Sequence, residues 1–256
     1  MRACVLTVML SLMLAMPALG KARLNPRVAR AISNQRPILV RLFRKAGASY
    51  PARRVFIRVF KKERVLELWA LAADGTYRKV IDYPICAASG TLGPKRRQGD
   101  LQVPEGFYHV SVFNPWSAYH LSLGINYPNQ SDRILGHRSN LGGAIMIHGN
   151  CVSIGCVAIT NDPASAVYLA AVEAWRSGRR RIPVHIFPTR LDARGMAWLR
   201  LHHDNKLVSF WDNLRPGFEH FERHRTLPRI RVDRKGRYRI SAPPAVQAQA
   251  PAGAAL

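Results

Sequence analysis

The chain has 256 residues, 48% hydrophobic and 21% charged, which excludes wholesale disorder and accommodates one sizeable domain with extensions. Its formal charge of +24 favours anionic partners through long-range attraction and counterion release. No aromatic-interleaved basic motif or DNA-binding signature accompanies that charge, so nucleic acid is not the expected partner.

Arg2 precedes an apolar run from Ala3 to Leu14, and Pro17-Ala-Leu-Gly20 places Ala18 and Gly20 at the −3 and −1 positions of a cut before Lys21. Residues 1–20 therefore read as a secretory signal peptide, with an uncleaved anchor as the alternative. No other apolar run approaches the length of a transmembrane helix. The expected location is the periplasm or cell envelope, whose anionic surface suits the charge. Residues 21–53 are basic and interrupted by Pro26, Pro37 and Pro51. They read as a lead-in segment with a short helix around Val28 to Ser33.

From Arg54 the pattern turns to strands: Val55–Phe60, Val65–Leu71 and Tyr77–Tyr83, with Asp74-Gly75 as the turn between the last two. Gly90–Gly106 reads as a loop, Phe107–Phe113 as a strand, and Asn114–Gly143 as a long loop containing Tyr119, His120, Asn126 and Tyr127. Loops of that length inside a domain are usually functional. A strand over Ala144–Ile147 follows. Asp162-Pro163 then opens a helix, with Asp162 as its cap, an apolar face of Val167, Leu169, Val172 and Trp175, and Gly178 as its stop. Val184–Phe187 is a further strand. Leu191–Leu201 and Lys206–Arg223 read as helices, the second broken at Pro216-Gly217. Residues 229–256 form a basic, then Pro/Ala-rich tail expected to be disordered.

The stretch His148-Gly-Asn-Cys-Val-Ser-Ile-Gly-Cys156 places an imidazole and two thiols on one loop after a strand. A thiol is a poor nucleophile until its proton is drawn off, and a neighbouring imidazole can do so. Gly155 lets the backbone turn tightly and leaves amides free to face an oxyanion. The chain has four cysteines, of which Cys4 falls in the signal region. With Cys156 as nucleophile, Cys86 and Cys151 remain as a bridge or as two buried thiols; a Cys151–Cys156 disulfide trap is a further alternative. A zinc site from His148, Cys151, Cys156 and His185 is the main rival, but its spacing lacks a paired Cys-x2-Cys knuckle. No metal or cofactor is expected.

Ile147-His-Gly149 followed by Ser153-Ile-Gly-Cys156 resembles the active-site signature of the L,D-transpeptidase (YkuD-type) catalytic domain family. Tyr83–Gly90 and Gly99–Tyr108 are similar to that family's strand and its Thr-Pro-x-Gly-x-Tyr segment, with Val103 in place of the threonine. The His148–Cys156 loop, Ser122–Asn129 and Phe210–Leu214 are similar to the YafK branch, which includes an enzyme that detaches an outer-membrane lipoprotein from peptidoglycan.

The resemblance implies a mainly β, sandwich-like catalytic domain over 54–188 with one or two packed helices, then a helical extension over 189–228. It implies Cys156 as nucleophile, His148 as general base and acid, and the Gly149 carbonyl as the group that orients the imidazole. The Gly155 and Cys156 amides become oxyanion donors. Ser153 matches the motif serine, as a loop-stabilising hydroxyl or a substrate contact; Tyr119, His120 and Asn126 are candidates for the substrate groove.

Three departures stand out: Ile154 for the common histidine, Ala158 for a polar residue, and a short His148–Cys156 spacing. The implied function is cysteine acyl transfer on diaminopimelate-containing peptidoglycan stems. A hydrolase releasing a wall-attached lipoprotein is the alternative, and a non-catalytic, basic wall-binding protein is a second.

Overall fold

Three successive runs of β-branched and aromatic residues form β1 (Val55–Phe60), β2 (Val65–Leu71) and β3 (Tyr77–Pro84) in the computed structural model of the protein. It describes residues 24–137, 140–178 and 181–243. The signal peptide expected at 1–20 and the tail beyond residue 243 lie outside those residues. Every residue of β1 is buried, as suits a strand covered on both faces. It pairs antiparallel with β2 and parallel with a later strand, Pro183–Phe187.

In chain order the remaining strands of the sheet are β4 (Gly106–Asn114), β5 (Ser122–Ile125), β6 (Met146–His148), β7 (Val157–Ala158) and β8 (Pro183–Phe187). They form one eight-stranded sheet in the order β3-β2-β1-β8-β4-β5-β6-β7. The ladder changes partner along β4. Gly106–His109 pair with β8, Val110–Asn114 pair with β5, and the register slips between Val110 and Val112. Such a slip bends a strand and increases its twist. The expected mainly β domain is therefore a continuous sheet whose two halves share β4.

The helices differ more from expectation. The basic lead-in is a twenty-residue helix, α1 (Pro26–Lys45), which runs on through Pro37. Pro26 occupies the first turn, Asn25 accepts a bond from Arg27 N, and Ala31, Leu39 and Phe43 are buried. The Asn114–Gly143 stretch holds β5 and a short helix, α2 (Gln130–Leu135), closed by a reciprocal Asn129–Asp132 capping box. In α3 (Asn161–Arg176) the cap position falls to Thr160, whose side chain makes no capping bond. Asp162 lies instead in the first turn, where the helix dipole favours a carboxylate. Arg36 of α1 pairs with Glu173 of α3.

Past β8, α4 (Ala193–His202) and α5 (Asn205–His224) cover a second apolar cluster built on Phe60, Phe187, Trp211, Leu214 and Phe218. Contrary to expectation, α5 runs unbroken through Pro216. At Gly217 a Cβ would meet the Phe107 ring at 2.5 Å, so the helix lies hard against the sheet and packing outweighs the lost backbone bond. Residues 229–241, expected as disordered tail, form a hairpin of β9 (Arg229–Val232) and β10 (Tyr238–Ser241). Tyr238 is buried there and its hydroxyl accepts a bond from Asn129 Nδ2 at 2.9 Å. Among the described residues no helix is long and apolar enough to cross a membrane.

His185 of β8 is buried between the rings of Phe56 and Phe107, with centroids 4.6 and 4.8 Å away. Burial, aided by the charge of Arg58, pushes its pKa down from 6.5 to about 3. A depressed imidazole contributes stability that is present above pH 6.5 and lost as pH falls toward 3. Asp132, raised by burial to about 6, acts in the opposite sense and loses its contribution as pH rises through that value. His185→Leu is expected to remove much of the acid-induced loss between pH 6.5 and 4, roughly a few kcal/mol. Urea unfolding at several pH values measures it; an unchanged pH slope would exclude His185 as the cause.

Candidate active site

Strands β6 and β7 run parallel, with Ile147 opposite Val157 and His148 opposite Ala158. Carried back one residue, that register sets Cys156 beside Met146, whose N–H points at Cys156 Sγ at 3.4 Å. Met146 and His148 face the same side of β6, so thiol and imidazole come from adjoining positions of one strand pair. The connecting loop turns back through Asn150 (φ 58°) and Gly155 (φ 131°).

His148 is buried, and its Nδ1 lies 2.5 Å from Gly149 O. Only an N–H can donate to that carbonyl, so Nε2 carries the lone pair able to take a proton. The Tyr119 ring covers the imidazole, centroid to centroid at 5.0 Å. Gly149 admits no side chain: a Cβ there would meet Asn161 Oδ1 at 2.4 Å and His120 Cβ at 2.8 Å. That same Asn161 oxygen accepts from Asn150 N at 3.0 Å and ties the loop to the start of α3.

Cys156 is half-buried and is the free cysteine among the described residues. Burial pushes its thiol pKa up, opposed by the Met146 N–H and the charge of Lys95. The resting group is therefore a thiol that needs a base. Alkylation by iodoacetamide at pH 7 is expected to be slower than for free cysteine and to rise as pH passes the ordinary thiol range. A rate above that of free cysteine at pH 7 would show a preformed ion pair instead.

The expected oxyanion donors are engaged elsewhere. The Gly155 and Cys156 amides both donate to Ser153 Oγ, at 3.1 and 3.0 Å, and Ser153 Oγ donates to Cys156 O at 2.8 Å. A serine hydroxyl readily satisfies the N–H groups two and three residues ahead, so the loop closes on itself. Ser153 is thus the hub of the loop, with Ser89 Oγ at 3.3 Å on its other side.

Cys86 and Cys151 form a disulfide with Cα atoms 5.3 Å apart, which replaces both the buried-thiol reading and the Cys151–Cys156 trap. Cys86 N also donates to Ala158 O at 3.0 Å, so the end of β3 is fastened to both the loop and β7. The zinc set is not assembled: Cys151 is in the disulfide and His185 is in the aromatic cluster.

Of the groove candidates, Tyr119 alone reaches the imidazole. His120 has φ 65° and directs Nε2 to Ser165 Oγ of α3 at 2.7 Å. Asn126 is drawn away: its Oδ1 accepts from His109 N at 2.7 Å and it lines a different cavity. Ile154, 80% exposed, stands at the loop tip, while Ala158 is fully buried within the sheet. Sequence reasoning missed Ser122, which pairs with His148 across β5 and β6 and whose buried Oγ has no partner among the described residues. It also missed Asn161; the carboxamide just ahead of Asp162-Pro163 was the available signal.

The L,D-transpeptidase catalytic domain (YkuD) family matches residues 54–185, which contain every strand of the eight-stranded sheet up to His185 and the whole His148–Cys156 loop. The chain belongs to that family. It is 39% identical over 191 residues to "Putative L,D-transpeptidase YafK" of Escherichia coli (strain K12), with 74% of each chain covered, and equally to the protein of that description in E. coli O157:H7. Among solved structures it is similar to the helical cell shape determining protein Pgp2 of Campylobacter jejuni, with a TM-score of 0.43 and 19% identity over 70% of this chain and 73% of that one.

Proposed function

We propose that the protein is an exported cysteine acyltransferase that acts on diaminopimelate-containing peptidoglycan stems. The observation that carries this reading is a free thiol one residue before β7, on the same face of the β6–β7 pair as an imidazole whose Nδ1 is fixed on Gly149 O. His148 Nε2 takes the Cys156 proton, and Sγ attacks a stem carbonyl to give a tetrahedral intermediate. His148 returns the proton to the departing amine, which leaves a thioester on Cys156. With the Ser153 hydroxyl turned aside, the Gly155 and Cys156 amides serve the oxyanion. Membership of the family and the signal-peptide pattern of residues 1–20 support peptidoglycan as the substrate.

The thioester then meets one of two acceptor classes. An amine gives a crosslink or a lipoprotein attachment, and water gives hydrolysis, including release of a wall-attached lipoprotein. The resemblance of the His148–Cys156 loop to the YafK branch keeps hydrolysis as the second reading. Purified protein incubated with defined muropeptides and lipoprotein-linked sacculi, followed by mass spectrometry, separates them. New dimers signify transfer, whereas trimmed stems or freed lipoprotein signify hydrolysis. An identical product pattern from Cys156→Ala would reject the enzyme reading and favour a non-catalytic wall-binding protein.

A further inference from the structure

A cavity of about 620 Å³ lies apart from Cys156 and shares none of the residues around its thiol. Its floor is the β4–β8 pairing, with Phe107 and His185; its walls are α2 and the β9 edge of the hairpin. Arg133, Arg181, Arg229 and Arg231 all line it, and no aspartate or glutamate does. None of the four has an ion-pair partner among the described residues, whereas Arg58 and, on the same hairpin, Arg239 do. Arg133 donates to Pro128 O, and the charge of Arg181 adds to the burial that lowers the pKa of His109.

Arg229 and Arg231 are exposed while Ile230 and Val232 between and beyond them are half-buried. Strand alternation therefore sends both guanidinium groups to one side, about 6.8 Å apart along β9. Asn126 uses its carbonyl oxygen on His109 N, leaving Nδ2, and Gln130 adds a second carboxamide. Asp132 stands behind Tyr108: its Oδ2 accepts from Tyr108 Oη and Asn129 N, and its Oδ1 pairs with Arg96 outside the cavity. The one imidazole in the floor, His185, stays neutral and adds no charge.

A site of this volume, with four unpaired guanidinium forks and carboxamide donors, suits a ligand with several acceptor oxygens and at least two negative charges. A phosphate ester carries about −1.5 to −2 and three acceptor oxygens, so one or two such groups match four arginines. We propose that this cavity is a second, non-catalytic binding site for a phosphorylated ligand, held by Arg133, Arg181, Arg229 and Arg231. Free phosphate compounds and the headgroups of anionic lipids share that chemistry.

The test is calorimetric titration of the full chain with inorganic pyrophosphate, alongside co-sedimentation with phosphatidylglycerol vesicles. Arg229→Glu/Arg231→Glu and Arg133→Gln/Arg181→Gln are each compared with Arg41→Glu/Arg194→Glu, a change on exposed sites outside the cavity that matches the first in charge. Circular dichroism checks that each variant is folded. Both cavity variants are expected to weaken binding at least about tenfold while the control stays near wild type. Such a loss with pyrophosphate identifies phosphate groups free in solution as the ligand; a loss confined to vesicles identifies headgroups. Equal weakening in the control, or no saturable binding of either probe, overturns the proposal. Cys156→Ala is expected to bind as wild type, which separates this site from the acyl-transfer chemistry.

Discussion

Replacing Cys156 with alanine is expected to abolish stem acylation and leave the fold intact. The thiol contributes little to stability: its Sγ contacts are the Met146 N–H at 3.4 Å and Ala144 O at 3.8 Å. Neither replaces a strand bond, because the loop is closed independently by Ser153 and the sheet by the β6–β7 ladder. Stability is expected to change by no more than about 1 kcal/mol. The catalytic loss is of another scale, since removal of a nucleophile costs on the order of 10⁶-fold in turnover. Intact-mass spectrometry after incubation with a tetrapeptide stem reads both points: an acyl adduct on the wild type, none on the variant, and matching thermal transitions. An adduct on the variant would move the nucleophile elsewhere.

Removal of the Cys86–Cys151 bridge is expected to have the largest effect on stability. The bridge spans 65 residues of sequence, and closing a loop of that size restricts the unfolded chain by about 4 kcal/mol on the loop-entropy account. It also fixes Cys151 in the middle of the turn that carries His148 and Cys156, and so couples fold to site. Cys86→Ala/Cys151→Ala is expected to show a lower denaturant midpoint and slower acylation by the same free thiol. A large drop in midpoint with an unchanged rate would show that Ser153 and Asn161 alone hold the loop. Wild-type protein treated with reductant under mild conditions should follow the double variant.

Much of the sheet is legible in the sequence because its first strands are runs of β-branched, aromatic and other apolar residues bounded by charged or turn-forming ones. Val55–Phe60 and Val65–Leu71 appear in the structure with the bounds the pattern sets. β5 and β7, with four and two residues, are too short to carry a period, so the pattern does not reveal them. α1 is hidden differently: Pro37 in its middle reads as a breaker, while the helix runs through it and buries Ala31, Leu39 and Phe43. At Pro216 the local rule pointed the wrong way, because it weighs one lost bond and cannot see Phe107 pressed on Gly217.

The site divides along the same line. His148, Gly149, Ser153 and Cys156 are neighbours in sequence, so their types and spacing alone identify the thiol–imidazole loop. The order of small and polar residues in that loop also determines that it can turn back on itself. What only the tertiary structure decides is how distant groups meet it. Tyr119 comes onto the imidazole and Asn126 away from it because β5 places them at opposite ends. Cys86 arrives from the end of β3 to take Cys151, leaving Cys156 free. The physical reason is that chemistry along nine residues is set by local covalent geometry, whereas partners 29 to 65 residues apart are chosen by strand order and burial, which no local pattern encodes.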